Sequence, residues 1–147
     1  MPQLVALVAL LAVTCLVGVA WRARQGRVRV TRPVAAPVPA GAPAPNPADE
    51  WAALGVSLGA RATFLQLSAE VCAPCRATAR VLGRLAGTEA GVEHHELDVD
   101  EHMDLVKHLR VLTTPTVLVL DPDGVEIARA SGAMTPAQAR QALALCR

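Results

Sequence analysis

Hydrophobic and polar positions divide the chain into three unequal parts. Residues 4–21 form one apolar run without a charge. At a rise of about 1.5 Å per residue, residues 3–21 as a helix span roughly 28 Å, close to the hydrocarbon thickness of a bilayer. Residues 31–49 follow a different rule. There Pro33, Pro37, Pro39, Pro43, Pro45 and Pro47 alternate with Ala, Val and Gly, which favours extended polyproline II over helix or sheet. From about residue 50 the pattern becomes that of a folded domain.

Within that domain, Trp51 to Val56 predict a short helix behind Asp49 as its cap. Residues 62–68 have strand character, and residues 76–86 are helical, with Val81, Leu82 and Leu85 on the apolar side. Gly87 is a reasonable stop for that helix. Arg76, Arg80 and Arg84 recur every fourth residue and share one solvated face. Residues 92–99 predict a second strand. Asp100 is placed to cap a helix through Met103, Leu105, Val106 and Leu109. The run Val117-Leu118-Val119-Leu120 reads as a buried central strand, and Asp121-Pro122-Asp123-Gly124 as a hairpin turn. Residues 125–130 alternate as the partner strand. Thr135, Pro136 and Gln138 then supply the cap, first position and capping box of a final helix.

Charge settles how the apolar run is read. No Lys or Arg precedes it, whereas Arg22, Arg24, Arg27, Arg29 and Arg32 follow at once. A cleaved signal peptide needs a basic start and a shorter apolar core, although Gly18-Val19-Ala20 has the small residues of a cleavage site. The preferred reading is a single-pass transmembrane helix over residues 1–21, with Trp21 at the interface. A basic flank and linker over 22–49 and a folded domain over 50–147 complete the division. The arginines place that domain on the cytoplasmic face of the cell membrane by the positive-inside rule, the alternative being extracytoplasmic. The implied partner of the helix is the lipid bilayer.

Net charge is only +1, so nothing global points to nucleic acid. Lys107 is the only lysine among 14 Lys and Arg residues, a codon bias of GC-rich, bacterial genomes. Of the four cysteines, Cys15 lies inside the apolar run and Cys146 is penultimate. Cys146 at the end of a terminal helix is expected either to be a spare thiol or, if exposed, to pair between chains. What is left is one close pair, Cys72 and Cys75, which favours redox or metal chemistry over a stapled scaffold.

The stretch Val71-Cys72-Ala73-Pro74-Cys75-Arg76 joins the first domain strand to its helix. A thiol at a helix start meets unpaired N–H groups and a partial positive charge. That field favours thiolate over thiol and marks Cys72 as the nucleophile. Cys75 lies one turn inside, near enough to close a small disulfide ring. Pro74 fits a first-turn position, which needs no N–H donor. The competing chemistry is a zinc site of Cys72, Cys75, His94 and His95. Adjacent histidines on one strand point to opposite faces, however, so no metal is expected.

The order strand, CxxC, helix, strand, helix, Thr114-Pro115-Thr116, strand, hairpin, strand, helix resembles the thioredoxin family. Cys72-Ala73-Pro74-Cys75, Thr114-Pro115-Thr116, the Asp123-Gly124 turn and Gly132 carry the likeness over roughly the last hundred residues. The resemblance implies an α/β, thioredoxin-like fold, with a central mixed sheet flanked by helices and preceded here by the transmembrane helix. It implies a cis bond before Pro115, lying against the disulfide, and a backbone at Thr114 that pairs with an extended substrate. Ala73, Pro74, Thr114 and Pro115 would then bind substrate. Cys72 would attack a target disulfide and Cys75 would resolve the mixed disulfide, with no cofactor.

The implied partners are protein thiols and disulfides and an electron-donating reductase. Three features depart from the family: Gln66 stands where an acid is common, Val71 and Ser68 where tryptophans are common, and Glu96 where the acid's lysine partner is common. Glu70 and Glu96 become the candidates for proton transfer. The rival function is a non-catalytic thioredoxin-like module that holds a membrane partner.

Overall fold

The computed structural model describes residues 2–24, 27–31 and 46–146, without the side chains of 21–24. The chain begins with an apolar helix, α1 (Pro2–Arg24). Its segment Pro2–Ala20 is long and apolar enough to cross a membrane, and none of it is buried against protein. By length and composition it fits a membrane span or a signal sequence. Thr14 folds its hydroxyl back to donate to the carbonyls of Leu10 and Leu11, so the helix carries no unsatisfied hydroxyl there. Cys15 is exposed on it. The proline-rich stretch of residues 32–45, on which the polyproline expectation falls, lies outside the described residues.

The sheet is built on β2 (Ala62–Ser68), whose seven residues are all buried. Burial on both faces explains its near-continuous apolar character. It pairs in parallel with β3 (Val92–Asp98) and antiparallel with β4 (Thr116–Leu120). β4 turns through the Asp121–Gly124 hairpin into β5 (Glu126–Ser131). Gly124 takes φ 80° there, a left-handed conformation in which a side chain is strained. The Asp121 carboxylate accepts from the N–H groups of Asp123 and Val125.

One strand was not expected. Val28–Val30, read above as part of the basic flank, forms β1 and pairs antiparallel with β5, giving the order β1-β5-β4-β2-β3. Val28 packs on the core, and Thr31 donates its hydroxyl to Glu126 at 2.8 Å. Glu126 in turn holds Arg129 through two bonds of 2.9 and 2.7 Å. That pair is mostly shielded and bidentate, the geometry in which an ion pair contributes.

Helices cover both faces. Ala62, Phe64, Val117, Val119, Ala128 and Ala130 pack under α3 (Ala73–Thr88) and α5 (Pro136–Leu143). Leu65, Leu67, Leu118 and Leu120 pack under α2 (Pro47–Ala53) and under Leu105 and Leu109 at α4 (Met103–His108). Trp51 of α2 donates its ring N–H to the Gly124 carbonyl at 2.7 Å, pinning that helix to the hairpin. The capping box of α5 forms as read, between Thr135 and Gln138.

Three local expectations are corrected. Asn46 rather than Asp49 caps α2, because Pro47 starts the helix earlier and Asn46 can accept from the Ala48 N–H. His102 rather than Asp100 is the cap position of α4, and no side chain caps it. Asp100 instead donates its N–H to the Asp98 carboxylate in a turn. α3 passes Gly87 and stops at Thr88, whose hydroxyl donates to the carbonyls of Arg84 and Leu85.

Candidate active site

β2 delivers the chain to the start of α3, where Cys72 is the cap residue with extended backbone, φ −140° and ψ 98°. Its sulfur accepts the Cys75 N–H at 3.1 Å, one of the donors a helix start leaves open. Ala73 and Pro74 form the exposed first turn. Cys72 and Cys75 are joined in a disulfide. Cys75 is buried at 1% exposure, while Cys72 keeps 8%. Access to the pair is therefore through Cys72.

The Thr114-Pro115 peptide bond is cis. Thr116, the next residue, pairs with Leu67 across the sheet, so Pro115 and the disulfide stand at the same end of neighbouring strands. The loop is braced by Thr116, which donates its hydroxyl to the Thr113 carbonyl at 2.7 Å. Gly132 braces it too, donating its N–H to the Pro115 carbonyl at 2.8 Å. Thr78 on α3 accepts the Met134 N–H at 3.1 Å and holds the chain after β5 against the cysteine helix. Pro115 is buried and Thr114 half-buried. Val71 and Leu112, each just ahead of one of the two motifs, are 92% and 95% exposed.

Residues 57–146 match the family model of a thioredoxin-like domain. The chain belongs to the thioredoxin-like family. No curated protein matches it in sequence. Among solved structures it is similar to Fasciola hepatica thioredoxin, at 28% identity and TM-score 0.54 over 60% of this chain and 84% of that one. It is similar to chloroplastic thioredoxin z, at 28% and 0.54 over 65% and 83%. Mitochondrial thioredoxin 3 of Saccharomyces cerevisiae, in its oxidised form, gives 25% and 0.54 over 65% and 87%. Thioredoxin-like fold and bonded cysteine pair together make the chain a thiol–disulfide oxidoreductase in the general sense, a redox enzyme acting on thiols or disulfides of proteins.

Against the thioredoxin pattern, Gln66 is the distinctive residue. Its side chain is fully buried beneath the cysteine helix. Its Nε2 lies 3.0 Å from the Cys75 carbonyl, 2.8 Å from the Ser68 hydroxyl and 3.1 Å from a Glu96 carboxylate oxygen. Two amide hydrogens thus serve three acceptors, and the amide orientation is set by the oxygens of Cys75 and Glu96. Its Oε1 is buried with no partner.

Of the two proton-transfer candidates, Glu96 is brought to this amide, and Glu70 is exposed with no hydrogen bond among the described residues. Neither carboxylate contacts a sulfur among the described residues. The sequence signal for Gln66 was its departure from the family's acid at that position; its link to Glu96 needed the parallel register that sets Gln66 opposite Glu96.

The histidines do not join the sulfurs. His95 is 3.0 Å from the Ser57 hydroxyl, whereas Nε2 of His94 is buried without a partner. Burial holds the His94 imidazole below its usual pKa, with Glu96 acting the other way and His95 adding to the lowering. Among the described residues no group of three or more His, Cys, Asp or Glu could hold a metal ion. A cavity of about 310 Å³ between α3 and α5 is lined by Val81, Arg84, Leu85 and Arg140. It sits at the end of α3 remote from Cys72 and does not serve the disulfide.

Cys146 corrects the exposed alternative raised from sequence. It is buried in the α5 side of the core at 7% exposure, its Sγ 3.9 Å from the Ala142 carbonyl. Burial pushes the Cys146 thiol up, against a lowering by Arg61 and with a further rise from Asp121. A bridge between two chains through this sulfur would require the segment after α5, residues 144–146, to leave the core.

Proposed function

We propose that the chain is a membrane-tethered protein-disulfide oxidoreductase in which Cys72 attacks and Cys75 resolves. One observation carries the reading: the Cys72 sulfur caps α3 and accepts the Cys75 N–H while retaining the exposure that Cys75 lacks. In the reduced enzyme the same N–H and helix pole favour thiolate at Cys72. That thiolate attacks one sulfur of a target disulfide; the Cys72–target bond forms and the target's other sulfur leaves as thiolate, taking a proton from solvent. Cys75, deprotonated, then attacks the Cys72 sulfur. The mixed disulfide breaks, the second target thiolate leaves and is protonated, and the enzyme disulfide seen here forms. Two electrons have passed to the target, and a dithiol reductant restores the enzyme.

Gln66 is no proton acceptor, so the Cys75 proton goes to water or to a carboxylate, with Glu96, bonded to the Gln66 amide, the favoured candidate. The Thr114 backbone beside cis-Pro115 pairs with the extended target chain. α1 is the tether, and the arginines that follow it keep the domain on the cytoplasmic side of the membrane. Reduced full-length protein is expected to reduce insulin disulfides, and Cys72→Ser to be inactive. Cys75→Ser is expected to accumulate a mixed disulfide on non-reducing gels. Complementation of a deletion strain by Cys72→Ser would favour a non-catalytic holding module instead. A C-terminal reporter active only outside the cell would reverse the orientation.

A further inference from the structure

Strand direction gives the proposed tethered oxidoreductase a substrate class, an inference that stands only if that function does. β2 runs toward the disulfide, and β4 antiparallel to it runs away from Pro115. β5 reverses again and ends at Ser131, next to Gly132, whose N–H is bonded to Pro115. β1 is antiparallel to β5, so it starts at the disulfide end and leaves from the hairpin end. The register shows the same. Val28 pairs with Ala130, Ala130 with Val117, and Val117 with Gln66, whose amide touches the Cys75 carbonyl.

Val28 therefore lies in the transverse row of Gln66, three strand spacings away, about 14 Å. Residues 25–27 join it to the end of α1, a reach of at most about 14 Å. The anchor enters the domain at the end that carries the disulfide, the cis-proline and the exposed side chains of Val71 and Leu112. The proline-rich stretch plays a different part. Thr31, on its near side, donates its N–H to Ile127 at the hairpin end. On its far side α2 is held to Gly124 of that same hairpin. Residues 32–45 thus connect, along the chain, two points at the far end of the sheet and are not part of the covalent path from α1 to β1.

We propose that this chain acts on cysteine pairs of integral membrane proteins that stand close to the bilayer surface on the domain's side. Entry of a short tether at the reactive end keeps the disulfide within a few tens of ångströms of the lipid. It gives such targets a high effective concentration, while Val71 and Leu112 meet the apolar parts of the target chain. Targets in solution receive no such advantage.

The test uses full-length protein in liposomes with a single-span reporter peptide. A rigid helical spacer sets the reporter's disulfide either about 15 Å or about 75 Å above the surface. Thiol release is followed with a dye and normalised to outward-facing domains. Wild type is expected to reduce the near disulfide at least about tenfold faster. Inserting about 20 Gly/Ser residues between Gln25 and Gly26 adds about 25 Å of root-mean-square reach and should lower that preference by at least about twofold, and the same insertion between Pro39 and Ala40 should leave it intact. Equal near and far rates in wild type, with insulin still reduced, would overturn the proposal and leave the oxidoreductase reading standing. Loss of the preference from the Pro39 insertion alone would overturn it too. Failure to reduce insulin at all would instead remove the function on which the proposal rests.

Discussion

Cys72 and Cys146 are buried to the same degree, 8% and 7% exposed, yet they sit at opposite poles of helices. The Cys72 sulfur faces the start of α3 and accepts a backbone N–H. The Cys146 sulfur follows the end of α5 and points at a backbone carbonyl. Desolvation is the main cause that raises the Cys146 thiol, and the carbonyl beside that sulfur offers no donor to offset it. At Cys72 a backbone N–H supplies that offset. Two sulfurs of nearly equal exposure thus differ in whether a donor compensates the burial of negative charge.

The strongest way to break this contrast is turnover. Cys72→Ser should lower insulin reduction by at least about a thousandfold, to background, whereas Cys146→Ala should stay within about twofold per folded molecule. Alkylation of the reduced protein sharpens it. At neutral pH iodoacetamide should label Cys72 about a hundredfold faster than Cys146 by mass spectrometry, and denaturation should abolish the difference. Comparable native labelling of both would mean that the helix poles do not govern these sulfurs.

Stability gives a smaller effect. Cys146→Ser places an unfavourable hydroxyl in the core and should cost about 1–2 kcal/mol in urea unfolding. The pH course has a defined sign. The thiol's folded pKa is raised above the ordinary 9.0, so its stabilising contribution is present below that value. It falls as pH climbs from there through the folded value, because the unfolded thiol ionises first. Cys146→Ala should lack this alkaline loss.

His94 extends the comparison to a base and gives the smallest change. Its folded pKa is lowered from 6.5 by desolvation above all. Its contribution is present above 6.5 and is lost as pH falls from there through the folded value. His94→Gln should flatten that part of the melting-temperature profile.

How much of this was legible depended on whether a residue's fate was local. The CxxC helix start, the hairpin and the α5 capping box are decided within a few residues, and they stand where the pattern put them. β1 is decided elsewhere. Three residues among arginines carry no strand signal of their own; the open edge of β5 and the Thr31–Glu126 bond recruit them. The Glu96–Gln66 contact likewise depends on parallel register across 30 positions, and the burial of Cys146 on how α5 packs. Early capping by Asn46 was hidden among the prolines, where one further turn residue carries little contrast.

With β1 closing one flank of the sheet, β3 is left as its outermost strand on the other side. The sequence of that strand, Val92-Glu93-His94-His95-Glu96-Leu97-Asp98, is dense in ionisable groups. Like charges brought together by strand-to-strand addition of a second copy would repel. Wherever two copies of this chain meet, this acidic, histidine-bearing border discourages the encounter from growing into an aggregate.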